Sequence, residues 1–88
     1  MRDAIRTSQF KRDVKLAERR GKDMTELRHA LLLLVEEKAL PERYKDHSLG
    51  GNWKGHRDLH LEPDWLLIYQ IDGNDLYLAR TGTHADIF

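Results

Sequence analysis

Four of the five histidines fall in the C-terminal half of this 88-residue chain, at His47, His56, His60 and His84. The same half carries Lys54, Arg57, Asp58, Asp64 and Arg80. Imidazoles beside carboxylates and a guanidinium are the parts needed to cleave a phosphodiester without a metal ion. One group takes the proton from a ribose 2′-hydroxyl, and another protonates the departing 5′-oxygen. A cation then stabilises the charge on the transition state. Histidine suits both proton roles because its ordinary pKa of about 6.5 lies near working pH.

Two other chemistries use the same residue types. His56 and His60 stand at i, i+4, the spacing that joins zinc ligands on a helix. Here Arg57-Asp58-Leu59-His60-Leu61 alternates like a strand, so a metal site is not expected. Trp53, Trp65, Tyr69 and Tyr77 have rings that stack on bases in single-strand binders, although such rings more often fill cores. Trp65, beside Asp64, is the one expected to reach a substrate or prop a catalytic side chain. His29 lies in a helical stretch and reads as structural or solvated.

The elements that must hold these groups follow from pattern. Residues 2–6 carry a weak signal for an edge strand. Thr7 and Ser8 are good N-caps, and Phe10, Val14 and Ala17 recur at helical spacing up to the Gly21 stop. Asp23-Met24-Thr25-Glu26 resembles a capping box for a second helix, which the pattern carries to about Lys38 before Pro41. Its apolar face is Leu27, Leu31, Leu34 and Val35, and the short link at Gly21 makes the two helices an antiparallel hairpin. Strands follow at Arg57–Leu61, Trp65–Ile71 and Leu76–Thr81, with turns at Glu62-Pro63-Asp64 and Asp72-Gly73-Asn74-Asp75. Gly82 to Phe88 reads as a short tail. The order predicts a single α+β domain over residues 1–88, with two helices on one face of an antiparallel sheet. Simple hairpin counting places Trp65 opposite His60 and Gly82. It puts Asp58, His60, Trp65, Leu67, Tyr69, Leu78 and Arg80 on one face, with His60 and Arg80 near one end.

Composition sets limits. The chain lacks cysteine, which excludes disulfides and thiolate zinc sites and fits a cytoplasmic setting. No apolar run is long enough to span a bilayer, and the first residues lack the apolar core of a signal peptide. Net charge is zero, with 15 basic and 15 acidic residues, a poor global signature for polyanion binding. Residues 2–22 nevertheless hold eight basic side chains against three acidic ones. Such a run is usually a solvated helix face; the sharper alternative is a surface that meets nucleic acid.

The segment from Tyr44 to Tyr69 includes Asp46-His47-x-Leu49-x-Gly51-x-Trp53 and Arg57-Asp58-x-His60-x-x-Pro63-Asp64-Trp65. Together with Arg80-x-Gly82-x-His84 and the ending Ile87-Phe88, it closely resembles the YafQ family of type II toxins. Lys11 to Ala17 and Gly21 to Met24 extend the likeness to nearly the whole chain. The resemblance implies the RelE fold, two helices on a curved antiparallel sheet. It implies an endoribonuclease that cuts mRNA in the ribosomal A site and so inhibits translation. It also implies a cognate antitoxin whose C-terminal segment wraps the toxin, and operator DNA contacted only through that complex. No cofactor, metal or membrane is implied. The family's functional positions carry over onto His47, His60, Asp64, Trp65, Arg80, His84 and Phe88. His60 with Asp64, and His84, are expected to share the base and acid roles, with His47 a further proton-transfer or phosphate contact. Arg80 is expected on the scissile phosphate, with Trp65 and Phe88 on the substrate. Two alternatives share the fold: a ParE-like gyrase inhibitor and a binding-only member. The histidine cluster argues against both.

Overall fold

The computed structural model describes residues 1–88. Strand β1 (Asp3–Arg6) leads into helix α1 (Ser8–Arg19) and helix α2 (Met24–Val35). Strands β2 (His47–Ser48), β3 (Arg57–Glu62), β4 (Trp65–Asp72) and β5 (Asp75–Gly82) follow, and helix α3 (His84–Ile87) closes the chain. Short 3₁₀ turns at Glu42–Tyr44 and Gly51–Trp53 flank β2.

Helix α1 begins where expected. The Thr7 side chain accepts the Phe10 N–H at 3.0 Å and donates its own hydroxyl to the Ala79 carbonyl at 2.9 Å. One threonine thus caps the helix and ties it to β5. At the other end Gly21 takes φ +76°, with Gly21 N–H bonded to the Glu18 carbonyl and Lys22 N–H to that of Ala17. That left-handed exit is glycine's. Helix α2 is capped by Asp23 and ends at Val35, three residues before Lys38. The reason is a second left-handed exit. Glu37, at φ +59°, lets the Glu37 and Lys38 N–H groups turn back onto Leu34 and Leu33.

The sheet order is β1-β5-β4-β3-β2. All pairs are antiparallel except β1 with β5, which run parallel. The weak edge-strand signal at the start of the chain is therefore real, and it makes the sheet mixed. Phe10 and Ala17 of α1, with Leu27, Ala30 and Leu34 of α2, pack on Leu59, Leu61, Trp65, Leu67, Tyr69, Leu76 and Leu78. Burying that apolar face is the main favourable term in the fold.

Register differs from simple hairpin counting at two bulges. An irregularity between His60 and Glu62 sets His60 opposite Leu66, and Trp65 opposite Glu62. A second, at Ala79, gives Ile68 opposite Arg80 but Tyr69 opposite Leu78. Each extra residue reverses which face the next side chains meet. Trp65, Leu67 and Tyr69 consequently join the helices in the core, while Asp58 and His60 stand across from Ile68 and Leu66 on the other face. Trp65 and His60 do not share a face, contrary to the expected grouping.

Candidate active site

Within Gly82 to Phe88, where the sequence predicts only a tail, the structure forms helix α3. It forms because Thr83 and Asp86 make a reciprocal capping box. The Thr83 hydroxyl accepts the Asp86 N–H at 3.1 Å, and the Asp86 carboxylate accepts the Thr83 N–H at 2.9 Å. The spacing Thr-x-x-Asp was the available signal. The helix projects His84 back toward the β3–β4 turn, where Asp64 Oδ1 accepts both the His84 backbone N–H at 2.9 Å and its Nδ1 at 2.5 Å. A carboxylate can only accept, so Nδ1 carries the hydrogen and Nε2 is left for chemistry. The same two N–H donors, backbone first, hold the Asp64 carboxyl below its ordinary range.

His60, on β3, lies between two other imidazoles. Its ring centroid is 6.1 Å from that of His47, nearly parallel at 26°, and 5.8 Å from that of His84. The His84 ring is in turn 6.4 Å from that of Phe88. A row of four rings thus crosses β2, β3 and the C-terminal turn. Its ends are open: His47, His84 and Phe88 are exposed, and His60 is half-buried. The inner nitrogen of His60, Nδ1, is buried without a hydrogen-bond partner.

Beneath the row lies Asp58, only 4% exposed. Its Oδ1 is 3.1 Å from His47 Nδ1, yet that nitrogen donates to the Lys45 carbonyl at 2.9 Å, and Asp58 Oδ1 makes no hydrogen bond. Burial pushes the Asp58 carboxyl up, while His47, His60 and His84 pull it back. Asp58 stood among the candidate chemical groups but not among the expected catalytic ones, because the family resemblance points to Asp64 and nothing in the sequence marks Asp58 as buried. The His47 loop is fastened by Asp46, a residue of the quoted motif to which the sequence assigns no role. Asp46 accepts the Arg57 guanidinium at 2.8 and 3.1 Å and the Tyr69 hydroxyl from inside the core. Burial, then this carboxylate, pushes the Tyr69 hydroxyl up.

Two residues expected at the substrate are engaged within the protein itself. Trp65 is 1% exposed within the core, its Nε1 unpartnered, so its ring supports the β4 end of the sheet from inside. Arg80 gives Nε and Nη2 to Asp13 of α1 at 2.8 and 3.2 Å, and the Thr81 N–H reaches the same carboxylate. This bidentate pair pins α1 to β5. A cavity of about 280 Å³ opens beside His60, lined by Arg43, Lys45, Leu61, Glu62 and Pro63. No three histidine, aspartate or glutamate side chains converge closely enough to hold a metal ion.

An α+β domain presenting exposed imidazoles over one buried and one exposed carboxylate has the layout of a small acid–base enzyme. Residues 2–88 match the family model for YafQ, a bacterial toxin of type II toxin–antitoxin systems. The chain belongs to that family. It is 50% identical to the mRNA interferase toxin YafQ of Escherichia coli strain K12, over 99% of this chain and 96% of that protein. The crystal structure of YafQ from E. coli strain BL21(DE3) superposes with a TM-score of 0.95 at 48% identity, covering 100% of this chain and 99% of that one. YafQ in the E. coli DinJ–YafQ complex gives 0.93 at 49% identity, with the same coverage.

Proposed function

We propose that this chain is an mRNA interferase, an endoribonuclease that cuts by acid–base attack of the ribose 2′-hydroxyl on the adjoining phosphate. The observation that carries this reading is the open row of His47, His60 and His84, with Asp64 fixing the tautomer of His84. An imidazole whose Nδ1–H is held by a carboxylate presents a basic Nε2, and that carboxylate stabilises the imidazolium formed on proton uptake. His84 and His60, 5.8 Å apart, can serve a 2′-hydroxyl and a leaving 5′-oxygen on one phosphate. His47 supplies the third imidazole. Arg80 retains Nη1 for the phosphate once Nε and Nη2 are given to Asp13. Phe88, 60% exposed beside His84, offers a ring for a neighbouring base.

The substrate is mRNA in the ribosomal A site, and the place of work is the cytoplasm. The E. coli relative assembles with DinJ, and a cognate antitoxin is the matching partner here, with operator DNA reached only through that complex. The exposed cations of α1, Lys11, Arg12, Lys15 and Arg19, face ribosomal RNA and supply the attraction that a net charge of zero does not. The test is the chemistry of the cut ends on translated mRNA. Attack by the 2′-hydroxyl leaves a 2′,3′-cyclic phosphate and a 5′-hydroxyl, and a single 2′-deoxy nucleotide at the cut abolishes cleavage. A 3′-hydroxyl with a 5′-phosphate, or full cutting of the deoxy substrate, overturns the reading.

A further inference from the structure

A helix of four residues has almost no stability of its own, because nucleation costs more than one turn returns. Something outside α3 must hold it, and Asp86 shows what does. Its carboxylate already closes the capping box on Thr83. It also accepts Arg20, the C-cap residue of α1, at 2.6 Å from Nη1 and 3.2 Å from Nη2. Arg20 and the Thr83 N–H together hold the Asp86 carboxyl far below its ordinary range. The space for this carboxylate comes from Gly82. A Cβ at that position would stand 3.0 Å from Asp86 Oδ2 and 3.1 Å from Asp86 Cβ, tight enough that the Asp86 side chain would have to shift by a few tenths of an ångström. Neither Arg20 nor Asp86 touches His84, Asp64 or any other ring of the row through a hydrogen bond.

We infer that Arg20, Asp86 and Gly82 form a latch from α1 to α3 that positions His84 for catalysis. The inference rests on the proposed role of His84. With the latch closed, the Thr83–Asp86 turn is rigid and the imidazole reaches Asp64. With it open, α3 frays and His84 leaves the row, while the core under Trp65 and Leu67 stays packed. These are positioning residues. Their loss lowers the catalytic step rather than substrate binding, since about 1 Å of misplacement can cost about a hundredfold in rate.

The experiment is a double-mutant cycle of Arg20→Gln and Asp86→Asn in the whole protein, with Arg20→Lys, Gly82→Ala and His84→Ala beside it. Asp86→Asn keeps an acceptor for the Thr83 N–H and removes only the ion pair. Cleavage of translated mRNA gives kcat and KM, imidazole NMR reports the Asp64–His84 contact, and circular dichroism gives Tm. Each single variant is expected to lower kcat by about tenfold to a hundredfold, with KM within about twofold. The double variant should be no slower than the worse single, because both remove one interaction. Arg20→Lys should recover most of the rate, and Gly82→Ala should match Asp86→Asn. In the latch variants the His84 resonances shift while those of His47 stay.

Four results overturn the latch: unchanged kcat, losses that multiply in the double variant, losses that merely track a fall in Tm, or an Arg20→Gln loss confined to KM with Asp86→Asn silent. The last would make Arg20 an RNA contact. Wild-type cleavage by His84→Ala is a separate failure. It removes the proposed role of His84, and the NMR arm still decides whether Arg20 holds α3.

Discussion

The site contains two aspartates beside imidazoles, and their surroundings are opposite. Asp64 sits in an exposed turn and takes two N–H donors from His84. Asp58 sits under the sheet's own cover, with one oxygen unpaired and His47 near but turned elsewhere. Hydrogen bonds push the first carboxyl down; burial pushes the second up. The same side chain thus serves two purposes. Asp64 orients one imidazole. Asp58 is a buried carboxyl whose burial cost the three imidazoles above it offset only in part, and when ionised it favours positive charge along the row.

The largest expected effect breaks the Asp64 pair at its chemical end. His84→Ala should slow cleavage of translated mRNA by about a hundredfold to ten thousandfold, the usual worth of a proton-transfer group. Asp64→Asn comes next. It keeps an oxygen for both N–H groups but loses the charge, and should cost about tenfold, read in the same rate assay. Because the Asp64 pKa is lowered in the folded protein, its contribution is complete above the ordinary carboxylate range. It is lost only as pH falls through the lowered value, so the acid limb of the wild-type rate profile should not report Asp64.

Asp58→Asn sharpens the contrast through stability. A carboxyl whose pKa is raised by folding adds stability that is present below its unfolded value and lost as pH rises through the folded one. The amide does not titrate. Its Tm advantage over wild type should therefore grow as pH rises out of the ordinary carboxylate range, while its cleavage rate falls. A Tm difference flat across that range would show that Asp58 is not strained by burial. The smallest effect is at the edge of the row. Phe88→Ala should change stability by less than about 0.5 kcal/mol, as surface truncations do, and raise KM without lowering kcat.

Much of this was legible before the fold was seen. Phe10, Val14 and Ala17 at helical spacing, and the strongly apolar strand of Trp65 to Ile71, point to the α+β layers directly. The motif around His47, His60, Asp64 and His84 pointed to a candidate site, and those four side chains do lie together. What stayed hidden lies between elements. Two single-residue bulges moved Trp65 away from His60, and nothing at Leu61 or Ala79 marks a bulge in sequence. Long-range pairs, Asp13 with Arg80 and Arg20 with Asp86, join residues 67 and 66 positions apart, beyond any local pattern. Helix α3 was readable in principle from Thr83 and Asp86, but four residues are too few to show a period.

The parallel pairing of β1 with β5 sets an order of assembly. Strands β3, β4 and β5 are neighbours joined by tight turns, and each hairpin closes only a short loop. Asp3 meets Asp75 across most of the chain. Closing that loop carries the larger entropic cost, which the parallel ladder cannot repay until β5 already exists. The meander therefore condenses first, bringing His60 close to Asp64. The first six residues and α1 dock afterwards, and Arg20 arrives with them. A chain with its meander folded and its first helix undocked would hold His60 near Asp64 while α3 still lacked its clasp.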